Sequence, residues 1–154
     1  MKKVLFLLAM LPLCLLTFSS CSDDDEPKQY SVMINVLIDG DIASPTLVRL
    51  YDYDQAKDFD KKAISEMGDK QELVSVNGNK IVQVYTSDSF TGINTFENIA
   101  PGKYIIIAMY KPDGFSFPMF YYYGYKEITV DKNNNAHLHK LDFNSAERGK
   151  FIKF

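Results

Sequence analysis

The sequence predicts an all-β protein, an antiparallel β-sandwich of about seven strands with one short helical insertion. Three observations predict it: short apolar runs that alternate with polar residues, turn-forming residues between those runs, and many aromatic side chains. The 154 residues include 10 Tyr and 11 Phe but no Trp, a composition that favours strands. A chain of this length supports one domain with its own core.

The domain is expected to begin with a strand in which every second residue is apolar. These residues are Tyr30, Val32, Ile34, Val36 and Ile38. Alternation of this kind indicates one buried face, and Asp39-Gly40-Asp41 is typical of the turn that follows. A second strand is expected over residues 46–51, after Pro45.

Residues 54–67 carry apolar side chains at helical spacing, which predicts the short helix. Asn77-Gly78-Asn79 then separates two apolar runs, residues 72–76 and 80–86. An Asn-Gly pair between such runs predicts a hairpin, because both residues tolerate positive φ. A further strand is expected over residues 92–97.

The next turn contains Pro101 and Gly102 and leads into an apolar strand, residues 104–110. Proline followed by glycine predicts a type II turn, with positive φ at the glycine. The run Phe96-Glu-Asn-Ile-Ala-Pro-Gly-Lys-Tyr104 resembles the Phe-x-x-(apolar)-x-Pro-Gly-x-Tyr element of transthyretin-like sandwiches, among them carboxypeptidase regulatory-like and collagen-adhesin B-type domains. The resemblance implies an immunoglobulin/transthyretin-like sandwich over residues 30–143.

The most aromatic stretch is Phe-Ser-Phe-Pro-Met-Phe-Tyr-Tyr-Tyr-Gly-Tyr, residues 115–125. In a strand its odd-numbered residues share one face, whereas the apolar residues further on are even-numbered. That change predicts a bulge near Gly124. With the odd face in the core, Phe120 and Tyr122 point outward and form a patch for a glycan or a protein. The alternative is that these rings cap the sandwich or cover an edge.

Other candidate sites are weaker. His137 and His139 share one face of the predicted last strand, but no further ligand at a recognisable spacing accompanies them. The acidic residues at positions 52–60 do not follow the calcium-loop spacing, so a solvated face is expected. The sequence has no Gly-x-Ser-x-Gly elbow, phosphate loop or His-Glu-x-x-His helix. We therefore expect no enzyme activity, no metal and no cofactor.

Residues 1–20 have the features of a cleaved secretory signal peptide. Two lysines precede an apolar run too short to span a bilayer, and Ser19 and Ser20 come just before Cys21. This arrangement resembles the lipobox of bacterial lipoproteins, with Phe18 where Leu is usual. The resemblance implies cleavage before Cys21 and lipid attachment to it. An ordinary signal peptide with an incidental cysteine is the alternative.

Ser22 and an acidic run follow the cysteine; the run consists of Asp23, Asp24, Asp25 and Glu26. Because a charge run of this density stays solvated, residues 21–29 are expected to form a flexible tether. Serine followed by several acids resembles the export signal of surface lipoproteins in the Bacteroidota. That implies an outer-membrane location facing the cell exterior, with a periplasm-facing anchor as the alternative.

The mature chain is acidic and has no disulfide to stabilise it. Removing residues 1–20 leaves 134 residues, and the loss of two lysines lowers the formal charge from −3 to −5. Nucleic acid is therefore not expected as a partner. Cys14 leaves with the signal peptide and Cys21 carries lipid, so the fold depends on its core alone.

Two functions fit these observations. The first is a non-catalytic surface-exposed lipoprotein that binds a glycan or a protein through residues 115–125. The second is a structural or accessory subunit of an outer-membrane or fimbria-like assembly. In that case residues 144–154 add an edge strand in this protein or in a neighbour, unless they form a frayed tail.

Overall fold

The computed structural model describes residues 29–62, 73–112, 122–132 and 137–154. Strands dominate these residues and form two packed sheets, with a further layer on one of them. The predicted all-β sandwich is therefore confirmed. The elements are β1 (Tyr30–Ile38), β2 (Asp41–Ile42), β3 (Thr46–Asp52), α1 (Tyr53–Ala56), β4 (Leu73–Val74), β5 (Lys80–Ile81), β6 (Tyr85–Ser89), β7 (Ile93–Ile99), β8 (Gly102–Tyr110), β9 (Tyr122–Val130), β10 (His137–Phe143), a 3-10 turn (Ser145–Glu147) and β11 (Phe151–Lys153).

The first sheet, sheet A, is built around β1. On one side β1 pairs in parallel with β10, and on the other it pairs antiparallel with β7 and then β2. The predicted alternation is confirmed, since Val32, Ile34 and Val36 are fully buried between the sheets. The parallel β1–β10 pairing departs from the purely antiparallel sandwich that the sequence predicts.

The second sheet, sheet B, has the strand order β11-β9-β8-β3-β6. Its pairs are antiparallel except for β11 on β9. The β8–β9 register runs without interruption from Gly102 opposite Val130 to Tyr110 opposite Tyr122. The bulge predicted near Gly124 is therefore wrong, and the even-numbered residues of β9 face sheet A along the whole strand.

A third layer covers the outer face of sheet B. It consists of α1 and the β4–β5 hairpin, joined by an antiparallel bridge between Phe59 and Ser75. Beneath it lies a second core, distinct from the one between the sheets. Its buried residues are Tyr51, Ala56, Phe59, Leu73, Ile81, Ile105, Ile107, Met109, Tyr123 and Tyr125.

The predicted helix is interrupted after Ala56. Asp52 caps α1 by accepting a hydrogen bond from the Gln55 N–H at 3.1 Å, but the helix ends at Ala56. Phe59 then turns into the second core, and residues 61–62 are helical again. The rest of the predicted helix, residues 63–67, lies outside the described residues.

Two turn predictions have different outcomes. The hairpin around Asn77-Gly78 is confirmed, with Gly78 at φ +78°, although the strand expected over residues 80–86 divides into β5 and β6. The type II turn at Pro101-Gly102 is wrong, because the positive φ of +59° lies at Asn98 and Gly102 begins β8.

The strand connections define the two ends of the sandwich. The chain enters β1 at Tyr30, which lies opposite Ile99 in β7, and the short connection from β7 to β8 is at this proximal end. The connections 43–45 and 90–92 and the starts of β9 and β11 are at the other, distal end. The nine residues of β1 separate the two ends by about 30 Å. Within the described ranges, no helix is long and apolar enough to span a bilayer.

Candidate binding sites

Tyr122 is not part of an exposed patch. Its ring is only 6% exposed and stacks on Tyr110, with centroids 5.5 Å apart, and it also packs against Phe143. Its hydroxyl donates a hydrogen bond to the Ser145 carbonyl at 3.2 Å. The prediction that Tyr122 points outward is wrong, because the even face of β9 is the face buried against sheet A. The Tyr122 ring closes the distal end of the core between the two sheets.

The other half of the predicted patch, Phe120, lies outside the described residues, as do Cys21, Ser22 and the acidic residues 23–26. The aromatic residues of β9 are buried on both faces of sheet B, with Tyr122 on the face toward sheet A. Tyr123 and Tyr125 point into the second core, where Tyr125 stacks on Phe151 with centroids 5.3 Å apart. The aromatic character of this strand therefore reflects packing in two layers.

The distal end carries the most exposed large apolar side chain of the described residues. Phe90 is 85% exposed, and Ile42 nearby is 55% exposed. We call these two residues and the connections 43–45 and 90–92 the distal tip. A phenylalanine ring left in water is a ready source of binding energy, because its burial by a partner is worth about 1.5–3 kcal/mol.

Hydrogen bonds hold the connection that carries Phe90. The Ser89 hydroxyl lies 3.0 Å from that of Thr91 and accepts a hydrogen bond from the Thr91 N–H at 3.1 Å. The Ser44 hydroxyl donates to the Phe90 carbonyl and so joins the two connections. The backbone that presents Phe90 therefore needs little ordering when a partner binds.

The two connections also touch through glycine. Gly92 has φ +72°, and a Cβ there would lie 2.2 Å from the Ala43 carbonyl oxygen, so only glycine fits. The Val36 N–H donates to the Gly92 carbonyl at 2.9 Å, and the Ala43 N–H donates to the Val36 carbonyl at 3.0 Å. The end of β1 thus anchors both halves of the distal tip.

A second candidate is an open groove of about 450 Å³ between α1 and the β4–β5 hairpin. Polar side chains from both elements meet there: Gln55, Asp58, Asn77, Asn79 and Lys80. Val76 and Ile81 add apolar surface. We call this the outer-layer groove. Sequence reasoning missed it, because the Asp58 carboxylate was assigned to a solvated face and the Asn-Gly turn was considered only as a hairpin signal.

Backbone hydrogen bonds fix the walls of the outer-layer groove. The Val76 N–H donates to the Asp58 carbonyl at 3.0 Å, and the Asp60 N–H donates to the Val74 carbonyl at 2.8 Å. At the turn, the Asn79 N–H donates to the Ser75 hydroxyl at 3.2 Å. The shape of the groove is set by main-chain bonds, which leaves the side-chain amides available.

The structure gives little support for a metal site at the histidine pair of β10 or at the acidic residues 52–60. Leu138 is 50% exposed whereas Leu141 and Phe143 are buried, so His139 lies on the core-facing side of β10 and is half-buried there. The expectation of a solvated acidic segment is met by Asp54, an exposed residue whose carboxylate lies 3.4 Å from the Lys57 ammonium. Among the described residues no three His, Cys, Asp or Glu side chains lie close enough to hold a metal ion.

Residues 144–154 form part of the fold. Of the alternatives left open for them, the structure has an edge strand in this protein, with β11 parallel to β9. Phe151 packs in the second core against Phe59 and Tyr125, while Phe154 packs on Phe143 on the other side of the sheet. The Lys153 ammonium lies 3.3 Å from the Glu127 carboxylate, which raises the pKa of that lysine.

Comparison with known proteins adds no relative: no protein-family model matches this chain, and no curated protein sequence matches it.

Proposed function

We propose that this chain is a non-catalytic outer-membrane lipoprotein, anchored by lipid on Cys21 and facing the cell exterior, that binds a glycan or a protein. The distal tip carries this proposal. It presents Phe90 on a fixed backbone at the distal end of the sandwich. Tyr30 lies at the opposite, proximal end, and the sequence before Tyr30 leads back to Cys21. An anchor at one end and an exposed aromatic ring at the other are what a surface binding module needs.

The signal-like residues 1–20 and the acids after Cys21 support the location, and the lack of a catalytic motif supports a binding role. We also infer kinship with transthyretin-like and carboxypeptidase regulatory-like domains. Phe96 and Tyr104, which define the resemblance, are both buried in the core between the sheets. The Tyr104 hydroxyl donates to the Ala100 carbonyl at 2.8 Å, which holds the turn between them.

The alternative, an accessory subunit of an outer-membrane or fimbria-like assembly, loses its simplest mechanism. Residues 151–153 already pair with β9, so they would have to leave this sheet to pair with a neighbour. Deleting residues 148–154 would not test this alternative, because it would remove Phe151 and Phe154 from the two cores and so destabilise the fold itself.

The distal tip is tested by photo-cross-linking on intact cells. A benzophenone amino acid replaces Phe90 in one variant and Val84 in a control, since Val84 is 52% exposed near the proximal end. We expect a discrete adduct, with a protein or with surface polysaccharide, from position 90 only. Equal adducts from both positions, or none from position 90, would contradict the role of the tip.

The anchor is tested separately by metabolic labelling with a radioactive fatty acid. We expect label in the wild-type chain and none in Cys21→Ala, which should also lose its membrane association. Added protease should degrade the wild-type chain on intact cells if the domain faces outward. A chain that is labelled but protected from protease would retain the anchor and overturn the surface location.

A further inference from the structure

We infer that the outer-layer groove binds a neutral, polyhydroxylated ligand, namely sugar units of a glycan. This inference goes beyond the proposed function, because the groove is formed by the third layer and shares no residue with the distal tip. A ligand in the groove would contact α1 on one side and the β4–β5 hairpin on the other.

The first argument is the chemistry of the side chains. Gln55, Asp58, Asn77 and Asn79 line the groove, and their side chains make no hydrogen bond or ion pair with the described residues. An amide both donates and accepts, and a carboxylate accepts at two oxygens. Neighbouring hydroxyls of a sugar ring match such groups, since each hydroxyl also donates and accepts.

The second argument is charge. The groove contains one carboxylate, Asp58, and one ammonium group, Lys80, so its formal charge cancels. A strongly anionic or cationic ligand would meet repulsion from one of the two, whereas an uncharged ligand meets repulsion from neither. This balance favours a neutral sugar over a nucleotide or an acidic peptide.

The third argument is shape. The volume of about 450 Å³ lies within the range of small-molecule sites, which is about 300–1,000 Å³. The groove is open, so a longer chain can extend beyond it, and Val76 supplies an exposed apolar side chain against which the C–H face of a sugar can pack. Main-chain bonds already hold both walls, so binding requires little reorganisation.

The test is affinity electrophoresis of the full-length chain, solubilised in detergent, through gels containing neutral polysaccharides: a mannan, a xylan, an α-glucan and a β-glucan. Asp58→Ala and Asn79→Ala each remove a polar side chain from the groove. Gln83→Ala is the matched control, because Gln83 is an exposed amide that does not line the groove. Phe90→Ala reports on the distal tip. Melting temperatures verify that each variant is folded.

We expect retardation by at least one neutral polymer, with a dissociation constant raised about tenfold by Asp58→Ala and by Asn79→Ala, the effect of losing one hydrogen bond to a charged or polar group. Gln83→Ala should bind as the wild type does. Three results would overturn the inference: no retardation in any gel, retardation that survives both groove variants, or retardation lost only in Phe90→Ala. The last result would place the glycan at the distal tip and support the proposed function without the groove.

Discussion

The outer faces of the two sheets differ in what covers them. On sheet A, Met33 and Leu138 lie opposite each other in neighbouring strands and are 42% and 50% exposed. On sheet B, Ile105 and Ile107 occupy the equivalent outer positions and are buried beneath α1 and the β4–β5 hairpin. One sheet thus has a single buried face, whereas the other is buried on both.

This difference is visible in the strands themselves. β1 alternates between buried and more exposed residues, while every residue of β8 from Tyr104 to Met109 is buried. A strand that is buried on both faces needs no polar residue on either, and its sequence becomes a continuous apolar run. Candidate ligand sites are therefore better sought on the layer that covers such a strand than on the strand.

The largest expected effect concerns core truncations on β8. Ile105→Ala and Ile106→Ala remove side chains from opposite faces of the strand, and each should lower the free energy of unfolding by about 2–5 kcal/mol. Met33→Ala on sheet A should change it by about 0.5 kcal/mol or less. Chemical denaturation measures all three. If Ile105→Ala costs as little as Met33→Ala, the third layer does not bury sheet B.

An intermediate effect on the free energy of unfolding is expected where β11 pairs with β9. A Cβ at Gly124 would lie 2.3 Å from the Phe154 ring and 3.1 Å from the Ile152 side chain, so Gly124→Ala should cost about 1–3 kcal/mol through overpacking. Gly102→Ala is the control, since its Cβ would meet only the Tyr104 ring at 3.5 Å.

A double-mutant cycle sharpens this second prediction. Removing the Phe154 ring relieves the clash, so Gly124→Ala should cost less in a Phe154→Ala background than in the wild type. Unfolding free energies of the four proteins give the coupling directly. Additive costs would mean that β11 does not lie against Gly124.

The smallest expected effect on the free energy of unfolding comes from the Tyr51 hydroxyl and is confined to high pH. Burial raises the pKa of Tyr51 in the second core, and the neighbouring Arg49 partly offsets that rise. The unfolded chain, with a tyrosine pKa near 10, loses its proton first, so stability is complete below about pH 10 and falls as the pH rises further. Denaturation at pH 9 to 11 should show a shallower decline for Tyr51→Phe. An identical decline in both proteins would contradict the burial of this hydroxyl.

The fold was largely predictable because its elements obey local rules. Alternation located β1, and the Asn-Gly pair located the β4–β5 hairpin. The rest of the third layer was not predictable in the same way, because α1 is only four residues long and the segment after it is held by Phe59 packing against Tyr125. That contact joins residues far apart in sequence.

The candidate site was harder to predict than the fold. Tyr122 was expected to be exposed because only one face of β9 was assigned to the core, although the neighbouring run Ile105-Ile106-Ile107 indicates a sheet covered on both faces. Phe90 gave no periodic signal at all, since it stands alone in a turn between Ser89 and Thr91. Exposure of a single ring depends on the loops around it, which no local pattern reports.

The position of β1 has a mechanical consequence. The chain enters the domain at Tyr30 and β1 runs directly to the distal end, with β10 along one side and β7 and β2 along the other. Tension between Tyr30 and the distal tip therefore acts along β1, nearly at right angles to its antiparallel hydrogen bonds. Under force along the strands, these hydrogen bonds share the load and must break together. In a strand pair that is pulled apart from one end, the hydrogen bonds break one at a time. The strand through which force enters is thus held by neighbouring strands on both sides.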